Sequence, residues 1–192
     1  NRETAIAELA EPSDPQNRLL WRQNFKRLEA ESLRDSLLFI AGALDSNMYG
    51  FPVGIQTLSS GEVVVGSGSF PQRRSIYVRN KRSAPVSILQ LFDQPDIETN
   101  CIRRSQSTVP LQALSLMNSD VANLSAEAFA QQILNEGEHH LVTRTVTTAY
   151  GRQPQAEEQV LLQEFLEGQI KAYSARAGAP DAWSYGTGNV NK

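Results

Sequence analysis

Apolar residues are spaced along the chain in two regimes. From residue 110 onward they recur every three or four positions, interrupted only by short polar breaks, which is the period of a buried helix face. Before residue 110 the period holds only near the start. Trp21, Phe25, Leu28, Leu33, Leu37, Ile40 and Leu44 fall at three- to five-residue steps. That spacing predicts one long helix or two in series, starting at "SDPQNRLL" and ending near "LDSNMYG". Ser13 or Asp14 would cap it and Pro15 would suit its first turn. Arg22, Lys26, Arg27 and Arg34 alternate with Glu29, Glu31 and Asp35 outside the apolar stripe.

The middle of the chain breaks this pattern. Gly, Ser and Pro dominate residues 50–72, with one β-branched run at Val63–Val65. Such a run between turn residues reads as a short strand in irregular surroundings. In "RRSIYVRNKRS", Ile76 and Val78 would share one strand face, with a helical turn as the alternative. Together these predict a small two- or three-stranded β element around residues 62–80. "SILQLF" reads as a single helical turn, begun by Ser87 as cap and stopped by Pro95. "IETNCIRRSQST" has neither period and reads as an extended connection.

The C-terminal half divides more cleanly. Pro110 opens a helix in which Leu111, Leu114 and Met117 turn to the core, while Gln112 bonds the backbone of the preceding loop. Ser119 caps the next helix, with Val121, Leu124, Ala128 and Phe129 as its stripe. A third begins near Glu138 and points Val142, Val146, Ala149 and Tyr150 inward. Gly151 suits the left-handed position that ends it, and Pro154 restarts the chain. Leu161, Leu162, Phe165, Leu166, Ile170 and Tyr173 carry the last helix across Gly168. The expected fold is mainly α, a helical domain of residues 15–174. Residues 1–14 form an N-terminal extension, and 175–192 form a linker or the start of a following module.

Composition leaves this picture intact. The 192 residues are 40% hydrophobic and 20% charged with a net charge of −3, as in an ordinary globular domain. No apolar run nears the roughly 18 residues of a membrane span. The one cysteine, Cys101, excludes an internal disulfide and a Cys-rich zinc or haem-attachment motif within this segment. It reads as a small buried hydrophobe. Adjacent His139 and His140 cannot face one metal from a helix, so no metal site and no cofactor are expected. No nucleophile elbow, zinc-protease motif, P-loop or dinucleotide fingerprint occurs.

Two charged stretches carry the candidate chemistry. Arg73, Arg74, Arg79, Lys81 and Arg82 crowd ten residues without an acid. They suit either an anionic polysaccharide or structural bonding to carbonyls and acids. No nucleic-acid motif accompanies them. The second stretch is "FDQPDIETNCIRRSQSTVPLQAL". Asp93, Asp96 and Glu98 have the chemistry for a hydrolase or carbohydrate-active site assisted by Arg103 and Arg104. The competing reading is internal. A segment without a ladder needs side-chain partners for its backbone, and these acids and arginines would pair with one another across the loop.

In order along the chain stand "NRLLWR…RLEAESLRDSLL", "RRSIYV…KR", "FDQPD…C…RR…T.PLQAL.LMN" and "AYGRQPQAEE". As a set, over roughly Pro15 to Phe165, they resemble the C-terminal domain of unknown function of large planctomycete proteins. Those proteins carry an N-terminal cytochrome-c-like domain. The resemblance implies export to the periplasm or cell surface, other domains of the same polypeptide as partners, and no haem in this segment. It carries over no catalytic residue. The family's domain commonly closes with a further apolar helix, where this chain instead reads "AWSYGTGNVNK". Some apolar surface is therefore expected to be exposed or covered by a partner. The leading functional expectation is a non-catalytic structural or interaction module.

Overall fold

The computed structural model describes residues 10–24, 26–66, 72–97, 100–137 and 139–175. Most of the expected N-terminal extension and nearly all of the 175–192 tail lie outside these, as does Glu98.

The first apolar stripe does not make a long helix. The turn around Asp14 closes a short helical stretch instead of opening one, because Asp14 and Asn17 compete for the backbone. Asp14 carboxylate oxygens accept from the N–H groups of Arg18 (2.9 Å) and Leu19 (2.7 Å). Asn17 donates to the Arg22 carbonyl and accepts from its N–H. Both side chains are buried, and Asn17 and Leu20 take left-handed backbone angles. Helix α1 therefore spans only Ala30–Ile40. Its buried positions are Ala30, Arg34 and Leu38, one row at four-residue steps. Arg34, whose charge suggests an outward face, sits in the middle of that row.

Four short strands follow. β1 (Leu44–Asp45) pairs in parallel with β4 (Gln72–Arg73), and β2 (Ile55–Thr57) pairs antiparallel with β3 (Val63–Val65). The β element thus exists, but as two separate two-stranded ladders. Their partner strands come from residues 44–57, a stretch without the alternation that marks a strand. Ser75–Tyr77 is a 3-10 turn, the helical alternative for that segment.

Helix α2 (Ser87–Leu91) is one turn long and ends four residues before Pro95. Val86 holds its cap position, and Ser87 Oγ instead accepts from the Val63 N–H at 2.8 Å, tying α2 to β3. Ala30, Val65, Val86, Ile88, Leu89 and Phe92 form the main core, and Leu38, Ala41 and Ala43 form a second one against Ala128.

The remaining helices are α3 (Pro110–Asn118), α4 (Asp120–Asn135), α5 (Leu141–Tyr150) and α6 (Ala156–Ser174). Ser119 Oγ accepts from the Ala122 N–H and caps α4. Gly151, at φ 67°, supplies the left-handed turn after α5. Consecutive helices pack pairwise, and α4 also packs on α1. The inward stripes hold only in part. Val142 and Val146 are buried, but Tyr150 is 72% exposed, and Leu111 and Leu114 are 62% and 51% exposed. On α3 it is Gln112 that faces inward. None of the residues of α6 is buried.

Candidate functional site

The segment from Phe92 to Leu114 begins where α2 ends. Phe92 is buried, and Asp93 takes φ 64°, the left-handed turn out of the helix. This geometry aims the Asp93 carboxylate back across the loop at Ser107. The Ser107 N–H donates to Oδ2 at 2.6 Å and its hydroxyl to Oδ1 at 2.8 Å. These bonds, the backbone one foremost, hold the Asp93 carboxyl below its ordinary range. The same serine also accepts two bonds. Its hydroxyl takes a bond from Gln112 Nε2 at 3.2 Å, and its carbonyl takes one from Arg27, whose guanidinium lies 5.5 Å over the Phe92 ring.

Gln112 completes the circuit. Its Nε2 also donates to the Leu91 carbonyl at 2.9 Å, and its Oε1 accepts from the Val109 N–H at 3.2 Å. Two loose ends, the last turn of α2 and the first of α3, are thereby closed by one side chain that is 2% exposed. The expected bonding of Gln112 to the preceding backbone is present. Among the described residues, the acids that Arg104 meets lie outside the loop. Arg104 reaches Glu31 at 2.6 Å and Glu29 at 3.5 Å, at the start of α1. The Glu31 bond leads in raising its guanidinium above the ordinary value.

The remaining candidates face outward. Arg103 and Asp96 are exposed. Cys101 is exposed as well, not the buried hydrophobe that its composition suggests. Arg103, Arg104 and Cys101 line an open groove of about 1090 Å³ against Gln23, Asn24, Lys26 and Glu29. Asp96 lines a groove of about 310 Å³ with Lys81, Arg82, Gln90 and Gln94, and also one of about 420 Å³ that brings it together with Asp93, Cys101, Arg103 and Ser105. Of the two described acids, then, Asp93 is bonded by Ser107 and Asp96 is exposed at the groove they share. Glu98 lies outside the described residues.

The basic stretch divides the same way. Arg73 donates to the carbonyls of Asn47 (2.9 Å), Tyr49 (2.5 Å) and Phe51 (3.1 Å) and stacks 4.1 Å from the Tyr77 ring. It holds the glycine-rich loop that has no ladder of its own. Arg74 lies 3.9 Å from Asp35. Arg79, Lys81 and Arg82 are exposed.

The arginine that organises this region was not a sequence candidate. Arg34 is 0% exposed. It donates to Gln72 Oε1 at 2.6 Å, to the Arg73 carbonyl at 3.0 Å and to Ser75 Oγ at 3.2 Å, with Asp35 at 3.5 Å. Burial pulls its guanidinium below the ordinary value, and the Asp35 charge acts against that. One signal pointed there: Arg34 lies four residues from both Ala30 and Leu38. Asp35 in turn accepts from the Ser75 N–H and hydroxyl, each at 2.7 Å.

Among the described residues no group of three or more His, Cys, Asp or Glu is placed to hold a metal ion, and no helix is long and apolar enough to cross a membrane. No curated protein and no solved structure matches the chain. A family model, that of the PSD1 protein of unknown function (DUF1553), matches residues 1–166. That span takes in both arginine networks, the Asp93–Ser107–Gln112 circuit and the first half of α6, and the chain belongs to the DUF1553 family.

Proposed function

We propose that this chain is a non-catalytic structural and interaction module of an exported multidomain protein. The observation that carries it is the direction of the charges around Phe92–Leu114. Asp93 accepts the Ser107 N–H and hydroxyl, and Arg104 is turned to Glu29 and Glu31. A general base or acid needs a free pair to reach a substrate proton, and both Asp93 oxygens are bonded to Ser107. Export, and other domains of the same polypeptide as partners, rest on the resemblance to planctomycete proteins with a cytochrome-c-like domain. Asp93→Ala tests the reading. Its melting temperature should fall by several degrees, since about 1 kcal/mol moves a domain of this size by roughly 2–4 °C. An unchanged melting temperature overturns it.

A second reading is favoured by the groove beside α2. Lys81 and Arg82 line it together with the amides of Asn80, Gln90 and Gln94 and the one acid Asp96, a polar lining with two bases to one acid that suits an anionic polysaccharide. Lys81→Ala with Arg82→Ala should then weaken salt-sensitive retention on a sulfated matrix. Flow-through of the wild type at low salt excludes the reading.

A further inference from the structure

The loop between β1 and β2 is anchored through its backbone. Arg73 of β4 bonds the carbonyls of Asn47, Tyr49 and Phe51, and the Tyr77 hydroxyl accepts from the Tyr49 N–H at 3.1 Å. Tyr49 and Gly50 take φ 65° and 91° in succession. Glycine adopts such angles freely, whereas a tyrosine there is strained and has to be held. Three carbonyls gathered on one guanidinium hold it.

The large side chains of this loop are left over. Met48, Tyr49 and Phe51 are 61%, 77% and 93% exposed. They lie within four residues, on a backbone whose carbonyls turn the other way, so they stand clear of the fold as one apolar tip. They give the fold little burial, yet the strained backbone fixes where they point. A tip ordered in advance loses less freedom when it binds.

Charge says what it meets. Residues 44–92 hold five bases and two acids, a net +3 in a chain of net −3. Arg73 lies under the tip. The Arg79 N–H donates to the Val53 carbonyl at 2.9 Å, two residues from Phe51. One of the acids, Asp45, is the register partner of Arg73 and accepts from the Asn47 N–H. The other, Glu62, lies at the turn end of the β2–β3 hairpin, and the tip joins the opposite end. An uncharged aromatic tip on a basic lobe matches an anionic lipid surface. Tyr and Phe settle at the interface, and the bases add attraction to the headgroups.

We propose that Met48, Tyr49 and Phe51 enter the interfacial layer of an anionic membrane, with Arg73 and Arg79 facing its headgroups. Three side chains give reversible attachment, not a span. The proposal rests on reading the chain as an interaction module and gives that module a surface to bind.

The test mixes the chain with large unilamellar vesicles and reads the bound fraction by sedimentation. Vesicles of phosphatidylglycerol and phosphatidylethanolamine should bind it about tenfold more tightly than phosphatidylcholine alone, and 1 M salt should shrink the difference. Tyr49→Ser with Phe51→Ser should lower binding about tenfold. Circular dichroism should stay as in the wild type, because both side chains already face water. Phe51→Trp should shift its emission to the blue on the anionic vesicles. No binding to these vesicles overturns the proposal, as does binding that the double serine variant retains in full. A dimer that the double variant dissociates makes a second copy the occupant and overturns it. So does binding to a soluble sulfated polysaccharide that the double variant abolishes. These outcomes leave the Asp93→Ala melting result untouched, so the tip and the module reading fail separately.

Discussion

Arg34 and Ser75 stand 41 positions apart in the chain, yet Arg34 Nη1 donates to Ser75 Oγ at 3.2 Å with both side chains buried. One guanidinium thereby fastens α1 to β4 and to the 3-10 turn. A buried cation is costly to leave without its partners and costly to delete around them. Arg34→Ala strands the Gln72 amide oxygen and the Arg73 carbonyl and takes a cation from beside Asp35. It should cost about 3–5 kcal/mol in urea unfolding. Arg34→Lys should recover less than half of that, because an ammonium cannot span the same fork of acceptors.

Gln112 makes a different kind of link, neutral and between loop ends. Its amide, itself buried, closes the Leu91 carbonyl and the Val109 N–H. Gln112→Leu keeps much of the volume but leaves both groups unbonded, at about 1–3 kcal/mol each. Gln112→Leu should therefore lower unfolding free energy by at least about 2 kcal/mol. A loss below about 0.5 kcal/mol would show that the circuit is dispensable.

These two residues also mark what the sequence could and could not disclose. The helices from Pro110 onward were legible because their caps and breaks are local: Pro110, Ser119 and Gly151 each act within a few residues of the boundary they set. The direction of the faces was not local. On α3 the polar Gln112 turns inward and Leu111 outward, since two unbonded backbone groups beneath the helix outweigh a leucine's burial. The pairing of Arg104 with Glu29 and Glu31 was hidden for the same reason. Those acids lie over 70 residues away, and periodicity says nothing about partners at that distance. β1 and β2 went unseen because strands of two or three residues are too short to show alternation.

Asp93 ties stability to pH. Its folded pKa lies below the unfolded value of about 3.9, chiefly through the Ser107 N–H bond. The stabilisation is therefore fully present above that unfolded value and disappears as pH falls through the folded one. Asp93→Asn keeps a residue that tolerates positive φ but cannot bear the charge. The gap in stability between wild type and Asp93→Asn should be constant from pH 6 to pH 8 and close below pH 4. Unfolding curves at pH 7 and pH 3 measure it, and a gap that widens with acid contradicts the assignment.

Leu38 and Phe165 should respond unequally to truncation. Leu38 is 0% exposed, against Ala41 and Ala43, so Leu38→Ala leaves a cavity and should cost about 2–5 kcal/mol. Phe165 is 63% exposed, and truncating a side chain that already faces water removes little burial. Phe165→Ala should change unfolding free energy by less than about 1 kcal/mol, although its transfer value alone would suggest two to three times more. If Phe165→Ala destabilises the isolated chain as strongly as Leu38→Ala does, the α6 face is already covered in solution, and a concentration series of the melting temperature shows whether a second copy covers it.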